Sequence, residues 1–428
     1  MRRTKTIEIK HIEPFKAQLI QWGDKHTESI WLDSNAHQLN YGNFDCILAV
    51  DAQSHIESTF TNAFDKLQQY QNNTSDWIFG YLSYDLKNDL EQLTSQNFDG
   101  LEFPDLFFFQ PKKIFFLKNN SVTISYLETI ANTMDLDLKD IQNAKTIGNQ
   151  QTNNLNIQSR LTKQKYLSQV TTLQKYIQRG DVYEANFCQE LFAFGKIKPL
   201  QTFQKLQNIS LSPFAVYLKH NQKYLMSASP ERFLKKEGEN IISQPIKGTA
   251  KRSFSHPEDE LLKYNLQSDP KERSENVMIV DLVRNDLSRV AQKGSVEVED
   301  LCKIYSFKQV HHLISTVKAK LKTGTSPIEA IKATFPMGSM TGAPKVSAMK
   351  IIEELESTKR GLYSGAVGYF TPQGDFDFNV VIRSILYNAT RSYISFSVGS
   401  AITAKSDPSK EYEECLVKAK AMRDVLEN

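Results

Sequence analysis

Cysteine is scarce in this chain of 428 residues, and the four present, Cys46, Cys188, Cys302 and Cys415, lie far apart. None forms a CxxC pair or has a histidine at metal-ligand spacing, which excludes a thiolate metal site and points to reduced, buried thiols. Long apolar runs are missing too: no window approaches the roughly 20 residues a membrane helix needs. The basic N-terminus "MRRTKTIEIKHIEPF" has no apolar run behind it, so no secretory signal is expected and a cytoplasmic protein is. Charge of one sign is not in excess either. Lys and Arg number 52 against 49 Asp and Glu, a net charge of +3, and the signs interleave, leaving no electrostatic footprint for nucleic acid.

What is present is an ordinary globular composition, 40% hydrophobic and 24% charged, enough for a sizeable core. The first part is rich in aromatic and β-branched runs: "FDCILAVD" (44–51), "WIFGYLSYDL" (77–86) and "KIFFLKNNSVTISYL" (113–127), where Asn119-Asn120 read as a hairpin turn. The chain then turns polar, and "GNQQTNN" (148–154) is the candidate linker. Tyr166, Val170, Leu173 and Ile177 recur at helical steps before Gly180 ends the pattern. "ENVMIVDLVRNDLSRVA" (275–291) places Val277, Val280, Val283 and Leu287 on one stripe, widened by Met278, Ile279 and Leu282, and predicts a largely buried helix. "MGSMTGAPK" (337–345) is a loop running into helix-like "VSAMKIIEELE", and "SKEYEECLVKAKAMRDVLE" is a terminal helix.

Four features could carry chemistry. In "QPIKGTAKR" (244–252), Lys247 lies where a strand meets a tight loop; a solvated strand-end charge is the plain reading. Glu272 with Glu275, and Glu411 with Glu414, are spaced three apart near helix starts, so each pair faces one way. Acids there favour the helix dipole; two pairs on helices that meet would instead suit a hard cation such as Mg²⁺, with Lys418 facing the same site. Arg383, in strand-like "DFNVVIRSILY", needs an anion if buried. His311-His312 suits a packed strand. "GSMTGAPK" lacks the spacing of a phosphate loop.

Together these segments resemble the chorismate-utilising enzymes. The matching runs are "SASPERF" (227–233), "PIKGT" (245–249), "ENVMIVDLVRNDLSRV" (275–290), "HHLIST" (311–316), "GSMTGAPKVSAM" (338–349), "RGLYSGAVGYF" (360–370), "NVVIRS" (379–384) and "VGSAI" (398–402), in the family's order. In the first part, "WLDS" (31–34) and "YGNFD" (41–45), with "SPFA" (212–215), resemble the segments of a tryptophan pocket in these enzymes.

The resemblance implies an α+β fold with two orthogonally packed antiparallel β-sheets flanked by helices. Residues 1–150 would be its sheet-rich N-terminal part and 160–428 its chorismate-binding catalytic part. It implies Mg²⁺ held by Glu275 and Glu414, with Glu272 and Glu411 nearby. Chorismate would be held by Gly248, Thr249, Tyr363, Arg383, Gly399, Ser400, Ala401 and Lys418, although "GSAI" stands where the family often has "GAGI" or "GGGI". L-tryptophan would lie against Ser34, Tyr41, Gly42, Asn43, Phe44, Pro213, Phe214 and Ala215. Lys247, Glu231 and His312 form the implied catalytic set. A lysine before this Gly-Thr, where related branches have alanine, marks the aminodeoxychorismate synthases: its amine adds to ring carbon 2 as the carbon 4 hydroxyl leaves, and is expelled when ammonia adds at carbon 4. For this Lys247 must lose its proton near neutral pH, which positive charge from Mg²⁺ and Lys418, with partial burial, would favour. Glu231 is either the acid that protonates the leaving hydroxyl or a salt-bridged strand-end acid. No amidotransferase triad is visible, so ammonia is expected from a separate glutamine amidotransferase subunit. The alternatives are anthranilate synthase component I and an inactive paralogue acting as a binding subunit.

Overall fold

The computed structural model describes residues 1–37, 40–91, 93–145, 155–307 and 310–427. The candidate linker at 148–154 lies outside them. Twenty strands pair into one hydrogen-bonded network, and the ladders are antiparallel. The two expected sheets are two leaves of this network, joined through the strands Cys46–Ser58 and Leu106–Lys118. The first of these changes register between Ala52 and Ser54, just after Asp51 at φ 63°. An extra residue there bends and twists the ribbon, carrying it from one leaf to the other.

On one side of the bend these strands pair with Glu28–Asp33 and Ser121–Leu127; on the other they pair with Ile78–Leu82. The first leaf continues through Phe214–His220, Lys223–Ser229, Ser384–Asn388 and Tyr393–Ile402 to Glu184–Phe194. The second continues through Ala366–Phe370, Phe376–Val380, Arg232–Glu237 and Asn240–Gln244 to Val310–Lys320. The period of two assigns side chains to two cores. Ile47 and Ala49 enter the cluster shared by both leaves, whereas Cys46, Leu48 and Val50 enter the cluster under the helices.

The local readings mostly hold. Asn119, at φ 53°, turns the hairpin between Leu106–Lys118 and Ser121–Leu127. The helix Lys163–Arg179 buries Tyr166, Val170 and Leu173, and Gly180 caps it at φ 87°. All four cysteines are free and buried. No helix among the described residues is long and apolar enough to cross a membrane.

Two readings change. The helix Pro270–Ser288 is amphipathic rather than largely buried: Val277 is 39% exposed, and its place on the inward stripe goes to Asn276. Asn276 donates to Leu313 O at 3.3 Å and accepts from the Ser315 hydroxyl at 2.5 Å, because the first turns of this helix border a polar site. Arg383 is not in a strand. It links Phe376–Val380 to Ser384–Asn388 with φ 53°.

Candidate active site

The strand Ile246–Lys251 pairs with Val310–Lys320, and its register shifts between Ile246 and Thr249. Lys247 and Gly248 therefore form a bulge, a device that re-aims a side chain. Gly248 has φ 89°, and a Cβ there would lie 3.0 Å from Leu313 Cδ1 and 3.1 Å from Glu272 Oε2, so both conformation and space call for glycine. The bulge turns Lys247 inward, with Nζ 3.0 Å from Glu184 Oε1. The solvated strand-end reading of Lys247 is thereby overturned.

Burial alone would depress the Lys247 pKa, but the carboxylates of Glu184, Glu275 and Glu231 outweigh it and hold the amine above its ordinary value. This runs against the expectation of a readily lost proton. Lys418, expected to help, instead donates to Glu414 Oε1 at 2.6 Å and to Gly399 O at 2.9 Å.

Glu231 is 4% exposed, and burial pushes its pKa up to about 7, against the opposing pull of Ser339, Lys247 and the Ile246 N–H. It can hold a proton at neutrality. Across the strand pair, Thr249 Oγ1 lies 2.9 Å from His312 Nδ1. Burial, with the charge of Arg383, lowers the His312 pKa to about 3, so the ring is neutral. His311 turns the other way, onto Asp259 and Ser306. The Arg383 carbonyl accepts from the Ala228 N–H at 3.1 Å, but its guanidinium has no hydrogen-bond or ion-pair partner among the described residues, and Tyr363 and Glu414 are the groups whose charge reaches it. No described residue supplies the anion that this half-buried arginine calls for.

The two acidic helices meet. Lys271 Nζ lies 3.8 Å from both Glu275 Oε1 and Glu411 Oε1, one acid on each helix. Burial raises the Glu272 pKa, and Glu414 adds to this. Burial, with Glu184 and Glu272 adding, pushes Glu275 up to about 7. Burial also raises Glu414, but Lys418 and Lys271 outweigh it and bring that pKa down. Among the described residues no three acids close into a ready ligand set. The donor chemistry nevertheless fits a hard cation: all four candidates are carboxylates, Glu414 acts on Glu272 and Glu272 on Glu275 as like charges, and Glu275 Oε1 is buried with no hydrogen-bond partner among the described residues.

Gly399 faces Cys188 so closely that a Cβ would lie 2.4 Å from its Sγ. Tyr363 places its hydroxyl 3.6 Å from the same sulfur. Gly399 and Ala401 share one face of their strand, while Ser400 lies on the other, 3.5 Å from the Tyr166 hydroxyl and within bonding reach of the core. Its side chain is thus turned away from the site, and only its backbone is available there. Glu184 escaped the sequence reading. Its only signal is an acid at the head of the wholly buried run "EANFCQELFA".

A separate cleft with about 510 Å³ of empty space is lined by Ser34, Gly42, Asn43, Phe44, Pro213, Phe214 and Ala215, with Arg232 and Asp377. Tyr41 is not among its walls: its hydroxyl meets Glu299, and its carbonyl accepts from Lys235 at 2.6 Å. The Ser34 hydroxyl is buried and has no partner among the described residues.

A family model described as chorismate binding enzyme matches residues 23–424. The chain is 36% identical to an anthranilate synthase component I-like protein of Synechocystis sp. over 358 residues, 82% of this chain and 72% of that one. It is 34% identical to aminodeoxychorismate synthase component 1 of Bacillus subtilis over 361 residues, 81% of this chain and 76% of that one. It spans less than two thirds of several other curated relatives, from 29% to 56% of their length. The crystal structure of anthranilate synthase component I from Streptococcus pneumoniae matches with a TM-score of 0.77 at 24% identity, over 90% of this chain and 93% of that one, a likeness of fold. The family match runs through both leaves and both acidic helices, and so takes in every element that converges on Lys247: the chain belongs to the chorismate binding enzymes.

Proposed function

We propose that this chain is an aminodeoxychorismate synthase component I, converting chorismate and ammonia to 4-amino-4-deoxychorismate. The observation that carries the reading is the inward lysine of the bulge, 3.0 Å from a buried carboxylate and within the field of Glu231 and Glu275. An amine there can occupy the space from which ammonia would reach ring carbon 2, and can itself attack that carbon.

The surrounding residues have definite tasks. Arg383 takes a chorismate carboxylate on its free guanidinium. Glu231, whose raised pKa of about 7 lets it hold a proton near neutrality, donates that proton to the departing carbon 4 hydroxyl. His312, neutral and tied to Thr249, presents donors and acceptors without adding charge. Glu275 and Glu414, with Glu272 and Glu411, would hold Mg²⁺, whose charge would reconcile these acids with an anionic substrate. Ammonia is supplied by a separate glutamine amidotransferase subunit, and the cleft at Ser34 takes L-tryptophan, its unpartnered hydroxyl meeting a polar group of that ligand.

A second reading, anthranilate synthase component I, is favoured by relatives of that name at similar identity. Product chromatography after incubation with chorismate, Mg²⁺ and ammonium salt separates the two. Aminodeoxychorismate keeps its enolpyruvyl group, so no pyruvate is expected; anthranilate with equimolar pyruvate would overturn the proposal.

A further inference from the structure

The strand Glu184–Phe194 begins where the GSMTGAPK loop folds back on it. Gly342 and Ala343 pair with Ala185 and Glu184 on one side, and Ile402 pairs with Ala185 on the other. The Tyr183 N–H donates to Ala343 O at 2.7 Å. A Cβ on Gly342 would lie 2.2 Å from the Glu184 carbonyl oxygen, so the loop approaches this closely only because it has a glycine there. Glu184 is thus fixed from both sides.

Its side chain is 1% exposed. Oε1 contacts Lys247 Nζ at 3.0 Å, while Oε2 is buried and has no hydrogen-bond partner among the described residues. An ionised carboxylate offers about four lone-pair sites, and buried ones kept for structure are normally bonded through both oxygens. Of the three acids that act on Lys247, Glu184 is the one in hydrogen-bonding contact with its nitrogen.

We propose that Glu184 is the general base that frees the Lys247 amine for attack, an inference that rests on the covalent reading given above. An N–H bond of the ammonium breaks toward Oε1, where an O–H bond forms. The electron pair left on Nζ makes the bond to ring carbon 2, the ring double bonds shift, and the carbon 4–oxygen bond breaks. The departing oxygen takes the Glu231 proton and leaves as water. When ammonia adds at carbon 4, the Nζ–carbon 2 bond breaks, its electrons return to Nζ, Glu184 gives its proton back to the amine, and the new carbon 4 ammonium returns a proton to Glu231.

The test is the rate of adduct formation on Lys247, followed by rapid-quench intact mass spectrometry with chorismate and Mg²⁺ but no ammonia. Glu184→Gln keeps the shape and a hydrogen-bond acceptor but cannot take a proton. It should form the adduct at least ~100-fold more slowly than wild type, with little change in chorismate affinity. Its residual rate should climb with pH, because solvent has to remove the lysine proton. Glu184→Asp keeps the charge pair, and so the fold, but draws the carboxylate back by one methylene; it should slow the adduct at least ~10-fold. A wild-type adduct rate in either variant overturns the role of Glu184 and leaves the covalent reading standing. No adduct in the wild-type enzyme overturns that reading itself, and this inference with it.

Discussion

Lys345 Nζ lies 2.5 Å from Asp286 Oδ2, and both side chains are inside the protein. The same ammonium donates to the carbonyls of Thr334 at 3.1 Å and Pro336 at 2.8 Å, so its three donors are used. The pair fastens the GSMTGAPK loop, which packs on Glu184, to the helix that carries Glu272 and Glu275. A buried ion pair is a poor source of net stability, but removing one partner strands the other. Lys345→Met should therefore lower the unfolding free energy by about 3–5 kcal/mol, and adding Asp286→Leu should recover most of it. Chemical denaturation of the two variants checks this. A single variant as stable as wild type would show that the loop is held by other contacts.

The carboxyl of Glu231, raised to about 7 by burial, couples pH to both rate and stability. In the proposed role of proton donor it should lose function as pH rises through that value. The stability sign is the same. Between the unfolded value, about 4.3, and about 7, the native state binds more protons than the unfolded one. Stability is then fully present below that window and is lost as pH rises through it, by roughly 3 kcal/mol in all. Glu231→Gln should remove this slope and unfold less readily than wild type at pH ~8, while losing at least ~100-fold in kcat. Melting curves across pH and a pH–rate profile decide it; equal pH dependence in both proteins would place the coupling elsewhere.

Local order was legible in the sequence where one face of an element meets an apolar core. The steps Tyr166, Val170, Leu173 gave the helix Lys163–Arg179, and the asparagine turn gave its hairpin. The same rule misplaced Val277, because the inward face of that helix changes from apolar to polar where it reaches the site, and Asn276 takes the inward place. Arg383 looked like a strand residue because its neighbours are apolar, whereas its left-handed backbone breaks the strand. The motifs named Lys247, Glu231 and Glu275, and the fold sets the two acids where their charge reaches the lysine, while the charge of Arg383 reaches His312. The charge state of Lys247 was not legible, since it depends on Glu184, 63 positions away in sequence and on a strand with different partners, brought beside it only by the fold.

The four acids should act as one metal site. Glu275→Gln or Glu414→Gln removes one carboxylate from a mutually repelling set, which costs little fold stability but weakens cation binding. Turnover should be abolished with the melting temperature nearly unchanged, and titration calorimetry should show loss of Mg²⁺ affinity. Full activity of either variant in saturating chorismate, or of the wild-type enzyme in excess chelator, would exclude the site.

Binding of L-tryptophan can be measured apart from catalysis. Phe44 and Phe214 line the cleft, and the buried Ser34 hydroxyl lacks a partner among the described residues. L-tryptophan should bind by calorimetry, and Ser34→Ala should weaken it by about 1 kcal/mol, the size of a typical net hydrogen bond. An absence of binding heat at millimolar tryptophan, with no rise in melting temperature, would remove tryptophan from this cleft.

Under the proposed function, Lys247 should decide where nitrogen is added. If its amine fills the approach to carbon 2, the wild-type enzyme makes aminodeoxychorismate and releases almost no pyruvate. Lys247→Ala reopens that approach and also frees Glu184 from its 3.0 Å partner, leaving a buried carboxylate beside the vacated space. Amination at carbon 4 should fall steeply, and residual chemistry should move toward carbon 2 products. Because the covalent bond exists only on the reaction path, kcat should fall far more than chorismate affinity. Chromatography of products and titration of chorismate binding test both halves. An alanine variant with wild-type kcat would reduce Lys247 to a counter-ion for Glu184, and anthranilate as the main wild-type product would move the enzyme to the other branch of its family.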